Sequence, residues 1–380
     1  MYDIKICNTF PTFFPNVGGV ETSIFRLSNA LAKKYNGTKH YLLTQRFLGT
    51  KSYEKYGSLE VFRLTVRPSL DVRVIGYGLE LLNTFVFNRL GYYKAMNFTK
   101  DVDVFIAHIF NVAYITYKLA KSFKKPWIMY CHGRIGKQTG DSNPSFYEKP
   151  MIKHSALILV NRKASLLPLE QEFGKKVVLL PPYVDTKWFK HPKPKSVGTT
   201  KNLLFVGSLW ERKDPVTPIL AVKLIRRRIP EIKLRVVGSG SLEKPLFKLT
   251  KRLGIQRNVV FHGSVLDVRP YLWSSDIFLA TSPYTNYPSQ ALLEAMSANL
   301  AIIATNVGET PLLVEHFKNG ILIPSKNPKE LAEAVISLYE NEDLMKKISA
   351  EARKTVEKYD IEKFSEKYIN LLHSVINNVN

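Results

Sequence analysis

The feature that most constrains this chain is a regular alternation of short β-branched or aromatic runs with longer amphipathic stretches. In the first half the runs are DIKIC, HYLLT, LEVFRLTV, DVFIAH, WIMYCH, ALILV and VVLLP. In the second they are NLLFVGS, KLRVVGS, NVVFHGS, IFLAT, AIIAT and GILIP. Helical patterns such as ETSIFRLSNALAKKY and VAYITYKLAKSF lie between them. Such alternation predicts βαβ units and parallel sheets. The runs are apolar throughout, as strands covered by helices on both faces must be. The expected fold class is α/β, with two Rossmann-like doubly wound parallel-sheet domains facing a central cleft.

A length of 380 residues accommodates two such domains at roughly 150 residues each. The break between the two strand series is legible. Residues 184–200, VDTKWFKHPKPKSVGTT, are rich in Lys, Pro and Thr and lack a sustained period, which reads as a linker. The expected division is an amino-terminal domain over 1–183, the linker, a carboxy-terminal domain over 201–360, and a last helical stretch over 361–380 packing back on the first domain.

Composition excludes several classes. Two cysteines, Cys7 and Cys131, make neither a disulfide framework nor a four-ligand metal site. Both sit in apolar runs and read as buried thiols in a reducing, cytoplasmic compartment. The start, MYDIKICNTF, goes straight into a strand pattern without a signal-peptide profile. No run of about 18 apolar residues offers a membrane span. The net charge of +23 calls for an anionic partner: nucleic acid, acidic lipid headgroups or nucleotide phosphates. No helix-turn-helix, aromatic RNA-binding motif or zinc-finger spacing is present, so nucleic acid is not expected as a partner.

In open α/β sheets ligands bind beyond the carboxyl ends of strands, so the residues just after strands are the candidates. Gly18 and Gly19 precede a helix, where free N–H groups can meet an anion. His132 follows WIMYC. Gly207, Ser208, Arg212 and Lys213 lie in FVGSLWERKD, where the cations can neutralise phosphate charge. Gly238 and Ser239 follow KLRVV but lack the third glycine of a dinucleotide fingerprint, which argues against a nicotinamide enzyme. In TSPYTNYPSQALLEAMSA, Gln290, Glu294 and Ser297 form a narrow polar stripe on an otherwise apolar helix. A carboxylate there suits a ribose diol, while the helix start at Ser289 and Gln290 suits a diphosphate. Asp101-Val102-Asp103 spells a DxD metal motif but precedes its strand, away from the expected cleft. No metal and no cofactor are expected.

Taken in order, NVGGVE, CHG, FVGSLWERKDP, VVGSGSLE, FHGSV, SDIFLATS, LLEAMSANLAIIAT, VGETPLLV and NGILIP resemble the large retaining GT-B family often called family 4 glycosyltransferases. The resemblance covers nearly the whole chain and is strongest over 201–324. It implies that the second domain holds a nucleotide-diphosphate sugar (UDP- or GDP-linked) and the first an acceptor. It implies that Glu294 holds the donor ribose, Lys213 the diphosphate, and Gly19 the phosphate side of the amino-terminal loop. His132 would contact the donor sugar, and Gly238 would lie beside the base. The chain departs from the pattern at Asn286, where the first Glu of E-x7-E stands, at Ser208, where an arginine stands, and at Asn299, where a glycine stands. Arg212 is the candidate replacement for that arginine. Asn at 299 tolerates a left-handed conformation.

The expected function is metal-independent, retaining transfer of a hexose-type sugar from the nucleotide donor to a hydroxyl acceptor, such as a lipid-linked glycan or other glycoconjugate. The alternatives are a non-catalytic nucleotide-sugar-binding subunit, motivated by Asn286 and Ser208, and a nucleotide-sugar epimerase of the same fold. Residues 73–98 are aromatic and apolar with scattered positive charge. They read either as a core-packed helix pair or as a face that meets an anionic membrane, which would make the protein peripheral on the inner membrane surface.

Overall fold

The computed structural model describes residues 3–66, 77–132, 144–174, 177–192, 201–284 and 289–378. It divides into two compact units, one of residues 1–181 with 362–380 and one of residues 182–361.

The first unit is built on an eight-stranded sheet. Its strands are β1 (Lys5–Thr9), β2 (Lys39–Arg46), β3 (Tyr53–Tyr56), β4 (Leu59–Val66), β5 (Val104–Ala107), β6 (Trp127–Cys131), β7 (Leu157–Val160) and β8 (Val177–Leu179). Their spatial order is β3-β4-β2-β1-β5-β6-β7-β8. All neighbours are parallel except β3 and β4. The order reverses between β1 and β5, so the carboxyl ends of those two strands open the crevice where such sheets take ligands. Strands β5, β6 and β7 are buried at every position, as expected with helices on both faces.

The antiparallel strand β3 is absent from the sequence reading. Its run, YEKY, sets two adjacent charged residues between tyrosines and carries too little apolar surface to stand out, and it forms the edge of the sheet, where charge is tolerated. It has a positional role. Buried Arg63 of β4 pairs with Glu54 of β3 and donates to the Phe14 carbonyl at 2.8 Å. This anchors the long loop after β1. The helix Ile361–Asn377 belongs to this unit from Glu362 onward, and its Glu366 accepts from Lys34 at 2.6 Å.

The second unit has strands β9 (Asn202–Val206), β10 (Lys233–Val237), β11 (Val259–Gly263), β12 (Ile277–Ala280), β13 (Ala301–Thr305) and β14 (Ile321–Ile323). The order β11-β10-β9-β12-β13-β14 is parallel throughout, with its reversal between β9 and β12. Asn299, just past the helix Gln290–Ser297, has φ of 63°, the left-handed value expected of it.

The expectation of a linker over 184–200 needs correction for its described part, 184–192, which is a packed piece of the second unit. Val184 forms a parallel bridge with Asp360. The Asp360 carboxylate accepts from the Thr186 hydroxyl and from Thr186 N–H. Asp185 caps the short helix Thr186–Phe189 by accepting from Trp188 N–H at 2.8 Å. Val184 and Phe189 are fully buried beside Leu292, Leu293 and Met296. The Lys and Pro content masked these two buried apolar residues.

Both cysteines are buried free thiols, and burial pushes each pKa upward. His40 on β2 is buried, with the Thr38 hydroxyl 3.2 Å from its Nε2. Loss of hydration pulls its pKa down to about 4 from 6.5. The unfolded chain therefore binds more protons at this site than the fold does between those values. Its stability contribution is complete above about pH 6.5 and is lost as pH falls, at up to about 1.4 kcal/mol per pH unit. Resistance of the first unit to urea should weaken between pH 7 and pH 5, and His40→Gln should reduce that slope without abolishing it, since loss of hydration also holds His108 and His132 of the same unit below the ordinary value. An equal slope in the variant would remove His40 from its sources.

Candidate functional site

In the second unit the strand ends of β9, β10 and β11 are tied by backbone contacts. Gly207 N–H donates to the Val237 carbonyl at 3.0 Å, and Gly238 N–H to the Gly263 carbonyl at 2.7 Å. A Cβ on Gly238 would lie 2.0 Å from the Gly207 oxygen, and its φ is +132°. A Cβ on Gly240 would lie 2.5 Å from the Leu209 oxygen. These two glycines are required by the protein's own packing. The turn they make brings the Ser239 hydroxyl to 2.7 Å from that of Ser264.

The cations sit on a turn held from below. Glu211–Lys213 form a single 3-10 turn, closed by Asp214 at φ 47°. Asp214 accepts from Thr217 N–H at 3.1 Å and from its hydroxyl at 2.6 Å, which fixes the start of the following helix. Just beyond β12, the Thr281 hydroxyl donates to the Asp214 carbonyl at 2.8 Å and the Ser282 hydroxyl to the Arg212 carbonyl at 2.7 Å. The turn's carbonyls thus face the sheet. The Lys213 side chain passes Gly207: its Cγ would lie 3.8 Å from a Cβ built there. Arg212 is exposed and Lys213 half-buried.

The helix Gln290–Ser297 follows on from β12. Ser289 is its half-buried amino-terminal cap residue, in extended conformation and without a side-chain cap bond. Gln290 donates to the Tyr183 carbonyl at 3.0 Å, so its side chain is already used inside this unit. Glu294 is 6% exposed, an unusual place for a carboxylate. Asn286 lies outside the described residues. The structure therefore gathers Gly207, Ser208, Arg212, Lys213, Gly238 and Ser239 at the carboxyl ends of β9 and β10. Ser289, Gln290 and Glu294 lie on the element leaving β12.

In the first unit, Gly18 and Gly19 open the helix Gly19–Lys34 after the β1 loop. Here the two glycines separate. A Cβ on Gly18 would lie 2.4 Å from Glu21 Oε2, whereas one on Gly19 meets nothing within 4 Å. Buried Glu21 organises the loop: its Oε1 accepts from the Thr12 hydroxyl at 2.7 Å and from Asn16 Nδ2 at 3.0 Å. Burial raises its pKa, against those hydrogen bonds, which lower it. Gly18 is thus explained by Glu21. Gly19, like Gly207, has open space or ordinary contact where a side chain would go, so the fold itself does not demand a glycine there.

His132 follows β6, half-buried, and stacks on Tyr130 with ring centroids 4.1 Å apart. Its Nε2 lies 2.7 Å from Nδ1 of buried His108, which follows β5. His108 Nε2 lies 2.8 Å from Asn8 Oδ1, on β1. Loss of water around His132 lowers its pKa to about 3. His108 is pushed far down by burial first and by His132 second. Both rings are neutral at physiological pH. Sequence reasoning missed Asn8, Glu21 and His108. His108 did carry a signal, since it follows the run VFIA at a strand end as His132 follows WIMYC.

Asp101 and Asp103 lie at the amino end of β5, opposite the ligand crevice. Asp103 accepts from Lys5 N–H at 2.9 Å and pairs with Lys125, and Asp101 pairs with Lys5 at 3.7 Å. Among the described residues no three His, Cys, Asp or Glu converge to hold a metal ion.

Comparison with known proteins gives the family and the fold. Residues 186–355 match the family described as glycosyl transferases group 1, and residues 17–188 match glycosyltransferase family 4. An uncharacterized glycosyltransferase of Haemophilus influenzae is 32% identical over 173 residues, 45% of this chain and 49% of that protein. A GDP-mannose-dependent alpha-(1-6)-phosphatidylinositol monomannoside mannosyltransferase of Mycobacterium tuberculosis is 28% identical over 194 residues, 47% of this chain and 50% of that protein. The match thus spans half or less of these curated relatives. Among solved structures, Anabaena HepE in complex with UDP and glucose aligns with a TM-score of 0.76 and 17% identity, over 98% of this chain and 100% of that one. A likeness at that identity shows the fold.

The glycines give a paired expectation. Gly238→Ala should destabilise the second unit by about 2 kcal/mol, through strain at positive φ and collision with backbone. Gly207→Ala and Gly19→Ala should leave stability within about 0.5 kcal/mol and lower only ligand affinity. Urea unfolding of the three variants distinguishes them, and a large stability loss in Gly207→Ala would assign that glycine to packing after all.

Proposed function

We propose that this chain, which belongs to the family 4 glycosyltransferases and has their GT-B fold, transfers a hexose-type sugar from a UDP- or GDP-linked donor to a hydroxyl acceptor, with retention of configuration and without a metal. The observation that carries the reading is the Arg212–Lys213 turn, pinned by Thr281 and Ser282 beside the close approach of Gly207 and Gly238. That arrangement suits a pyrophosphate: two cations on a fixed turn and strand-end glycines without side chains, in the same unit as the amino terminus of the helix Gln290–Ser297.

In the proposed reaction the acceptor oxygen bonds to the anomeric carbon as the bond from that carbon to the diphosphate oxygen breaks. The electron pair leaves with the nucleoside diphosphate. The acceptor's proton passes to the departing phosphate oxygen, so the acceptor enters on the face the diphosphate leaves and no protein nucleophile takes part. Charge develops on the leaving oxygen, where Lys213 and Arg212 stabilise it. Glu294 accepts from the ribose hydroxyls. Two relatives support the donor class: a mannosyltransferase named for GDP-mannose and a structure named for UDP and glucose.

An acceptor at a membrane surface has support in the first unit. The helix Tyr77–Ala95 buries Phe87 and Asn88 but exposes Leu82, Phe85, Leu90 and Tyr93. Arg89 lies over the Tyr114 ring at 4.6 Å. The part of the aromatic segment at 73–76 is outside the described residues. No helix among the described residues is long and apolar enough to cross a membrane. An apolar row with flanking cations fits peripheral attachment to anionic lipid, each cation adding on the order of 1 kcal/mol.

Glu294→Ala should cost roughly 1.5–3 kcal/mol of donor binding, ten- to a hundredfold. A thermal-shift panel of UDP-, GDP- and ADP-sugars measures it, since bound ligand raises the melting temperature. Equal shifts in wild type and variant would remove Glu294 from the site. Liposome sedimentation should show binding that needs anionic lipid and weakens with salt; binding indifferent to both would remove the membrane reading.

A further inference from the structure

The chain of three side chains across the carboxyl ends of β1, β5 and β6 has a direction, and the direction can be read. Asn8 Nδ2 faces the Tyr41 carbonyl at 3.4 Å, and a carbonyl can only accept. The amide orientation is thereby set, leaving Asn8 Oδ1 toward His108 Nε2 at 2.8 Å. That oxygen can only accept, so His108 carries its proton on Nε2. A neutral imidazole has one N–H, so His108 Nδ1 is a lone pair. His132 Nε2, at 2.7 Å, must then be the donor. Each assignment forces the next, and the last one leaves Nδ1 of His132 without a proton.

We propose that Asn8 and His108 are positioning residues that hold His132 in its Nε2–H tautomer, so that its Nδ1 presents a lone pair to a hydroxyl hydrogen of the sugar substrate. A phosphate oxygen, which has no hydrogen to give, is refused at that nitrogen. The direction of the chain thus selects a hydroxyl over a phosphate oxygen at this nitrogen. Loss of hydration lowers both pKa values and so favours the neutral form of each ring. The ring plane is held as well, by stacking on Tyr130 at 4.1 Å and on His108 at 5.0 Å. Asn8 and His108 are 5% and 3% exposed, so water does not compete for the two inner bonds. The role at a sugar hydroxyl rests on the glycosyltransferase reading; the tautomer does not.

The test is a long-range proton–nitrogen spectrum of the full chain with labelled histidine at pH 7.5, with His132→Gln used to assign the resonance among eight histidines. The expected pattern is a pyridine-type Nδ1 and a pyrrole-type Nε2 for His132. A pyrrole-type Nδ1 overturns the proposal. Asn8→Leu, close in size and without an amide, should shift both rings toward the opposite tautomer, and unchanged spectra there would remove Asn8 from the relay. If that variant does not fold, the wild-type spectrum decides alone. In turnover of UDP-glucose or GDP-mannose, Asn8→Leu should lose about tenfold in kcat/KM, the scale of one hydrogen bond, with affinity for bare UDP or GDP unchanged. Full turnover with a switched tautomer would overturn the hydroxyl contact. Failure of the wild type to turn over either sugar nucleotide would count against the glycosyltransferase reading, with the tautomer judged by the spectrum.

Discussion

Everything proposed for the second unit depends on the hydroxyls at the end of β12. Thr281 and Ser282 take the carbonyls of Asp214 and Arg212. A short cationic turn left to itself would spend its backbone acceptors on water and sample many shapes. With those acceptors engaged, its geometry becomes a property of the sheet. The Thr305 hydroxyl extends the support by donating to the Ser282 carbonyl. Three neighbouring parallel strands, β9, β12 and β13, thus contribute to the position of two charges.

The first unit solves a similar problem with a carboxylate. Glu21 gathers Thr12 and Asn16 from one loop and packs its carboxylate where a side chain on Gly18 would lie. Arg63 takes the Phe14 carbonyl from the sheet side. A long loop after β1 would otherwise cost conformational entropy on ordering. Held at several points, it delivers the start of the helix Gly19–Lys34 in one arrangement. The buried carboxylate also sits within the first turn of that helix, where the dipole favours negative charge.

The alternation of runs sufficed to read the fold class because buried parallel strands leave a strong, local mark. Thirteen runs became strands, and β3, whose YEKY run packs little apolar surface, left no such mark. Residues after strands were legible as candidates for the same reason. Their division into packing and ligand roles was not, because it depends on what a missing Cβ would touch. Gly238 and Gly207 look alike in sequence, yet one abuts backbone and the other only the flexible stem of Lys213 and the Phe205 ring. The histidine relay was invisible for a topological reason. Asn8, His108 and His132 are far apart in the chain and become neighbours only because β5 lies between β1 and β6.

The pairing of Val184 with Asp360 has a consequence for how this chain is organised as a polymer. The second unit begins and finishes on one bridge, with Thr186 bonded to the Asp360 carboxylate beside it. Its two ends are therefore clasped together, a single ladder spacing apart, as in an inserted module. Chain entering and leaving such a segment does so at one place on its surface, so insertions in the first unit's chain before or after it need not disturb its interior.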